Sequence, residues 1–234
     1  MDFLQRTKML LGEDQIQHLK RLRIAIFGLG GVGGGALEAL ARMGVGEFHL
    51  IDPDEFNQTN LNRQLLATHE TLGQKKVDVA KRRVLSINPE ANVFTYPVFY
   101  LPGENAIDFG NFDFVIDAID TVSAKVDIIK RCNELGIPVI SAMGCGNRVD
   151  PSKLQVTDLF KTSGDPLSKV MRKKCRELGI SRLPVVYSTE EPREVLFRVE
   201  NDSPVRRDTP GSCAFVPPVA GYLMAHYVVT TFLK

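Results

Sequence analysis

Arg23 to Phe27 is a short β-rich run that leads straight into Gly28-Leu29-Gly30-Gly31-Val32-Gly33, and helix-forming residues extend from Ala36 to Met43 before a stop at Gly44. No other feature constrains the fold as tightly. A G-x-G-x-x-G run between a strand and a helix lets backbone N–H groups, unshielded by side chains, approach phosphate oxygens at a helix N-terminus. Gly28, Gly30, Gly31 and Gly33 are therefore candidate nucleotide-binding residues. Glu47 to Ile51 reads as a second strand closed by Asp52-Pro53-Asp54, which makes residues 23–52 a βαβ unit with the usual right-handed crossover. Asp52 stands where a carboxylate accepts hydrogen bonds from ribose hydroxyls or, more simply, opens a turn.

The alternation of strands and helices continues. Val77, Ala80, Val84 and Ile87 recur at helical spacing within Lys75 to Ile87, and Asn88-Pro89 ends that helix. Strands are expected near Asn92 to Tyr96, Phe112 to Ile116 and Ile137 to Ala142, with a helix at Ser123 to Leu135 between the last two. Past Gly144 the pattern loosens into strands at Leu154 to Val156, Pro184 to Tyr187 and Val195 to Val199, and a Lys/Arg-rich helix at Leu167 to Leu178. The polar stretch 200–212, with its Pro and Gly residues, reads as a mobile loop. These features predict an α/β fold: Rossmann-like, with a mainly parallel sheet flanked by helices and an appended C-terminal layer. The 234 residues are expected to form one domain. Within it, residues 1–22 form an N-terminal helical arm, 23–144 a nucleotide-binding core, and 145–234 a substrate or dimer region.

With 29 Lys and Arg against 28 Asp and Glu, the chain has no overall field to gather a polyanion, so a nucleic acid must meet a local patch. Lys169, Arg172, Lys173, Lys174, Arg176 and Arg182 form such a cluster, with an ordinary solvated helix face as the alternative; Arg206 and Arg207 add charge on the loop. No two of Cys132, Cys145, Cys175 and Cys213 make a C-x-x-C pair, so neither a zinc knuckle nor a redox dithiol is expected, and a reducing, cytoplasmic setting fits. Cys145, just after a strand near the expected site, is weighed as a nucleophile and set aside because no paired His is evident. Cys132 and Cys213 read as structural and Cys175 as exposed on its helix. Met1 to Arg6 lacks the pattern of a secretory signal, so export is not expected. Ala214 to Leu233 is apolar over about the length of a membrane span, but Pro217, Pro218, Gly221 and His226 interrupt it, and a packed helix is expected instead.

A dehydrogenase would account for the glycine turn and Asp52, but hydride transfer gives no reason for Asn60-Leu61-Asn62-Arg63-Gln64 followed by Lys75-Lys76. Those residues suit a triphosphate. A guanidinium at Arg63 and an ammonium at Lys76 can neutralise charge that grows as pyrophosphate departs, with Asn60 as a further donor; the alternative is a solvated basic loop. Asp117 and Asp120 follow a strand at the carboxyl edge, where open α/β sheets bind ligands. Asp120 is the candidate magnesium ligand and Asp117 a turn or capping residue.

In sequence order, G-L-G-G-V-G, I-D-P-D, N-L-N-R-Q, G-Q-K-K and D-A-I-D resemble the ThiF/MoeB adenylating family. The resemblance implies that Gly28, Gly30, Gly31 and Gly33 line the phosphates of ATP and that Asp52 holds the ribose. It places Asp54 and Gln64 in the same nucleotide-binding set, and implies that Asn60, Arg63 and Lys76 contact the phosphates while Asp120 serves Mg2+. It further implies that Arg6 acts in the ATP site of a second subunit, hence a homodimer, with Arg6, Arg63, Lys76 and Asp120 as the catalytic set.

The chain departs from the sulfur-carrier activators of that family, which commonly carry paired C-x-x-C motifs and an Asn after the magnesium Asp; here Thr121 follows Asp120. The runs S-G-D-P-L-S-K-V, V-V-Y-S-T-E-E-P and P-G-S-C-A-F-V-P-P-V-A-G instead resemble the bacterial tRNA threonylcarbamoyladenosine dehydratase subgroup, so that the likeness spans nearly the whole chain. That resemblance implies adenylation of the threonylcarbamoyl carboxylate of a modified tRNA and its cyclisation on the adenosine, with a sulfur-transfer protein as a candidate partner. Two alternatives stay open: activation of a ubiquitin-like sulfur carrier, and a nucleotide-binding scaffold without turnover.

Overall fold

The computed structural model describes residues 2–103, 107–197 and 210–233. Two short helices, α1 (Gln5–Leu11) and α2 (Glu13–Leu19), form the N-terminal arm. The first part of the sheet follows as β1 (Arg23–Phe27), α3 (Gly31–Arg42), β2 (Glu47–Ile51), α4 (Lys76–Ile87), β3 (Asn92–Tyr96), β4 (Phe114–Asp117), α5 (Val122–Leu135) and β5 (Val139–Ala142). Beyond it come β6 (Leu154–Asp158), α6 (Pro166–Glu177), β7 (Pro184–Ser188) and α7 (Val216–Phe232). The strands make one seven-stranded sheet of order β3-β2-β1-β4-β5-β7-β6, parallel throughout except for β6, which runs antiparallel to β7. The expected α/β, mainly parallel architecture is thus found, and its appended C-terminal part is built onto the edge of the same sheet.

Strand residues alternate between two cores. Ile24 and Ile26 of β1 enter the one beneath α3 and α7, whereas Ala25 and Phe27 join Tyr100, Phe109 and Phe112 beside α5 on the other face. All four β1 residues are fully buried, and each large one contributes on the order of 1.5–3 kcal/mol of transfer free energy. A third cluster, with Met171, Cys175, Leu183 and Val185, sits under α6. Cys175, expected to be exposed, is 1 % accessible there because the α6 stripe that carries it and Met171 turns inward.

Helix α3 begins at Gly31, well before the expected Ala36, although glycine is a poor helix former. Tertiary contact supplies the reason. A Cβ on Gly35 would come within 2.6 Å of the Pro218 carbonyl oxygen and one on Gly221 within 2.1 Å of the Val32 carbonyl oxygen, so α3 and α7 cross backbone against backbone. The apolar helix α7 is therefore a core element, and among the described residues no helix is long and apolar enough to cross a membrane. Elsewhere α5 stops at Gly136, which takes a left-handed φ of 69°. The expected strand at Val195 to Val199 is absent over Val195 to Phe197, where Leu196 is 95 % exposed and no neighbouring strand offers a ladder; residues 198 and 199 lie outside the described set. Of the expected mobile loop, 200–209 with Arg206 and Arg207 likewise lies outside it, while 210–212 is held by hydrogen bonds to Asn147 and Asn62.

Candidate functional site

Register brings the motifs to one edge. Phe27 at the end of β1 pairs with Ile51 of β2 on one side and Asp117 of β4 on the other, so Gly28, Asp52 and Ala118 emerge together at the carboxyl end of the sheet. Strand β1 is also where the chain's strand order reverses, the crevice in which such sheets take ligands. Gly28 bends the chain there with a φ of 89°, and a side chain on it would strike the Ala118 carbonyl oxygen at 2.7 Å.

Asp52 fastens the glycine turn. Its Oδ2 accepts the Leu29 amide at 2.6 Å and its Oδ1 accepts the Asp54 amide at 2.9 Å, so the carboxylate does open the turn, with ribose contact as an additional capacity of its remaining lone pairs. Burial pushes its pKa up, against the pull of the Lys76 ammonium 3.7 Å away. Lys76 itself is buried in the first turn of α4 and donates to Asp54 Oδ2 at 2.8 Å. Asp54 is thus the ammonium's counter-ion in the structure.

The segment 58–64 lies against the same turn. It starts with a 3₁₀ turn, Gln58–Asn60, whose capping box has the Asn60 side chain accepting the Asn57 amide at 3.2 Å. A Cβ on Gly31 would sit 3.2 Å from the Arg63 carbonyl oxygen, and one on Gly30 would sit 3.8 Å from Gln64 Nε2. Gln64 Oε1 is buried with no hydrogen-bond partner among the described residues. An unsatisfied buried acceptor costs about 1–3 kcal/mol, and half a turn of the amide would present a donor instead, so either a hydroxyl or a phosphate oxygen would relieve it. The cradle therefore fits a polar ligand. Arg63 folds back on its own segment, donating to the Thr59 carbonyl at 2.9 Å and to Asn62 Oδ1 at 3.0 Å. Burial lowers its pKa, but a guanidinium stays charged at any physiological pH.

Across the turn, Asp120 is exposed two residues beyond Ala118. The turn that carries it is held by a buried pair that the sequence did not single out: Lys125 Nζ lies 2.9 Å from Asp117 Oδ2, both side chains being fully buried, and Ser141 Oγ donates to the same oxygen. Asp117 Oδ1 accepts the Ile119 amide and Lys125 donates to the Ile119 carbonyl, at 3.4 and 3.0 Å. Asp117 is thus a turn residue, as one reading had it. A second buried pair, Arg148 with Asp165 at 3.0 Å, ties the loop after β5 to the N-cap of α6. Cys145 in that loop has its thiol pushed up to about 11, chiefly by burial, and stays protonated near neutrality, which argues against a nucleophile.

Two further expected residue sets lie outside the glycine turn and the 58–64 segment. Arg6 is exposed on α1. Of the basic cluster, Arg172 donates to the Thr162 carbonyl, Arg176 lies over the Phe160 ring and Lys174 pairs with Glu177, while Lys169, Lys173 and Arg182 are exposed.

The ThiF family profile matches residues 4–234. The chain is 43% identical over 239 residues to tRNA threonylcarbamoyladenosine dehydratase of Bacillus subtilis (strain 168), covering 98% of this chain and 94% of the relative. It is 38% identical over 194 residues to the protein of the same name in Escherichia coli (strain K12), covering 79% of this chain and 72% of that one. The crystal structure of E. coli tRNA N6-threonylcarbamoyladenosine dehydratase in complex with ATP is similar with a TM-score of 0.83 at 32% identity, over 97% of this chain and 92% of that one.

Proposed function

The chain belongs to the ThiF family, and we propose that within it the protein is an ATP-dependent tRNA threonylcarbamoyladenosine dehydratase. The observation that carries this reading is the likeness to the B. subtilis dehydratase over 98% of the chain, which takes in the region past β5 as well as the nucleotide fold. The glycine turn, with Asp52, the 58–64 segment and the 118–120 turn packed around it, supplies the carboxylate-activating half of the reaction.

An oxygen of the threonylcarbamoyl carboxylate attacks the α-phosphorus of ATP. The bond to the bridging oxygen of the β-phosphate breaks and pyrophosphate leaves with that electron pair. A nucleophilic atom of the same modified adenosine then attacks the carboxyl carbon, AMP leaves, and the nucleophile gives up its proton. The water lost from the nucleoside is accounted for by ATP becoming AMP and pyrophosphate. In this scheme the amides of Gly30 and Gly31 and the Asn60 side chain hold phosphate oxygens, while the Leu29 amide stays with Asp52, and Arg63 and Lys76 offset the negative charge that grows on the leaving group. Asp52 orients the ribose, and Gln64 satisfies its buried amide on the nucleotide.

Magnesium needs little from the protein, because it takes one or two carboxylates and completes its shell with phosphate oxygens and water. The exposed Asp120 fits that demand; no group of three or more carboxylate, His or Cys side chains gathers among the described residues. Asp120 would hold the ion, whose charge would help neutralise the departing pyrophosphate.

The active unit in this proposal is a homodimer. Leu4 packs onto the Gly44 end of α3, and the helix's 12 residues span about 18 Å from there to the glycine turn. Arg6, two residues beyond Leu4 in sequence, is therefore read as serving a second copy's site rather than its own. The exposed cations of α6 and Arg182 offer the tRNA its phosphate contacts, the setting is cytoplasmic, and a sulfur-transfer protein is an accessory partner. Purified protein should convert threonylcarbamoyladenosine in tRNA to a product lighter by one water, with matching pyrophosphate release; release driven only by a carrier protein ending in Gly-Gly would overturn the assignment.

A further inference from the structure

Arg63 is gripped through a neighbour. Its Nη1 donates to Asn62 Oδ1 at 3.0 Å, and the other end of that same amide, Asn62 Nδ2, donates to the Ser212 carbonyl at 2.9 Å, between residues 150 apart in sequence. A carboxamide can accept from a guanidinium at one end and donate to a carbonyl at the other without carrying charge. Ser212 belongs to a strap, residues 210–213, that leads into α7.

The strap has a second clasp. The Asn147 amide donates to the Gly211 carbonyl at 2.7 Å, and the Gly211 amide donates to Asn147 Oδ1 at 2.6 Å. The Asn147 carbonyl accepts the Arg193 amide at 2.7 Å, so one residue holds both Arg193 and Gly211. Asn147 does this at a φ of 58°, the single positive value at a non-glycine position among the described residues. Asn tolerates that conformation better than other side chains, and it persists only where surrounding contacts hold it. Gly146 lets the strap lie flat, since a Cβ there would come within 2.6 Å of Pro210, and the Cys213 thiol donates to the Arg148 carbonyl at 3.5 Å. The strap thus connects the 58–64 segment, on the phosphate side, to the loop after β5, which the Arg148–Asp165 pair anchors.

We infer that Asn62 is a positioning residue for Arg63, and that it sets the guanidinium only in concert with the strap that Asn147 clasps. The inference rests on the reading of Arg63 as a phosphate contact. Asn62, the strap and Asn147 then form one unit: cutting it at either amide leaves the Thr59 carbonyl to hold the guanidinium by itself, which lets Arg63 swing away from the departing pyrophosphate.

The test is a set of full-length variants assayed for pyrophosphate release driven by threonylcarbamoyladenosine tRNA, each with its thermal midpoint. Asn62→Leu and Asn147→Gly should each lower kcat on the order of 10- to 100-fold, the range for a misplaced catalytic group, with KM for ATP changed far less. The double variant should be no worse than the poorer single one, and Asn62→Leu should do nothing further in an Arg63→Ala background. Asn147→Asp, which keeps both the left-handed conformation and the Oδ acceptor, should stay near wild type. Multiplying losses, an undiminished Asn62→Leu effect without Arg63, wild-type kcat in Asn62→Leu, or failure of Asn147→Asp would each overturn the inference. A wild-type protein without tRNA-dependent turnover would overturn the functional reading, and the inference with it.

Discussion

Asp52 Oδ2 accepts the amide of Leu29 at 2.6 Å, so the end of β2 ties down the turn that follows β1. The acidic residue after the second strand is therefore part of the turn's own scaffold before any ribose arrives. Its pKa, raised by burial, records the cost of keeping a carboxylate in that place.

Asp52→Ala should weaken ATP binding by roughly 10- to 100-fold, the equivalent of one charge-assisted hydrogen bond, and should also release the Leu29 amide. Titration calorimetry with ATP would measure it. Binding at wild-type strength would mean that neither the turn nor the ribose depends on this carboxylate.

Gly31→Ala tests whether the glycine run serves packing as well as phosphate approach. Its Cβ would lie 2.7 Å from Pro217 Cβ, so α7 would have to shift away from α3. Overpacking of this kind costs about 1–3 kcal/mol, which urea unfolding would register without any nucleotide present. Unchanged stability would confine the role of Gly31 to the ligand.

A pH dependence follows from Glu38. This buried carboxylate of α3 accepts hydrogen bonds from Arg83 and Arg42, which outweigh the upward push of burial and hold its pKa below the usual carboxylate value of 4.5. A depressed carboxylate stabilises the fold fully above its unfolded pKa and loses that contribution as pH falls through the folded value. Glu38→Gln should therefore cost on the order of 2 kcal/mol near neutrality, with the difference from wild type shrinking below about pH 4.5. A constant difference down to the acid limb would show that packing, not charge, accounts for the loss.

The nucleotide-binding half was legible because its signals are local. A β-rich run, a glycine turn, a helix and an Asp at the next strand end each constrain a few adjacent residues, and the register of Phe27 with Ile51 and Asp117 follows once the strands are in place. The helical start at Gly31 was not legible, since it depends on α7 arriving from nearly 200 residues later. Val195 to Phe197 have strand composition but no partner strand, and Cys175 was misjudged because basic neighbours on α6 hid the inward stripe that it shares with Met171. Of the site, the candidate residues could be named from motifs, but not their engagement: Lys76 with Asp54, Arg63 with Asn62, Asn60 in a capping box. Lys125 gave no signal at all, because a lysine within a helix reads as solvent-facing until Asp117 and Ser141 are known to lie beneath it.

Lys125 supplies the sharpest test of how the Asp120 turn is held. Two fully buried opposite charges are a poor source of stability, because desolvation consumes most of their attraction; removing one partner is another matter, typically costing about 3–5 kcal/mol by leaving the other charge unpaired. Lys125→Met should therefore destabilise strongly, and adding Asp117→Asn should restore much of the thermal midpoint by removing the stranded carboxylate. Activity should not return with it. The Ile119 carbonyl, which takes a hydrogen bond from Lys125 in the native chain, would have no donor in either variant, and the turn that presents Asp120 would lose its fixed distance from Gly28. A folded double variant with wild-type ATP turnover would establish that the pair serves stability alone.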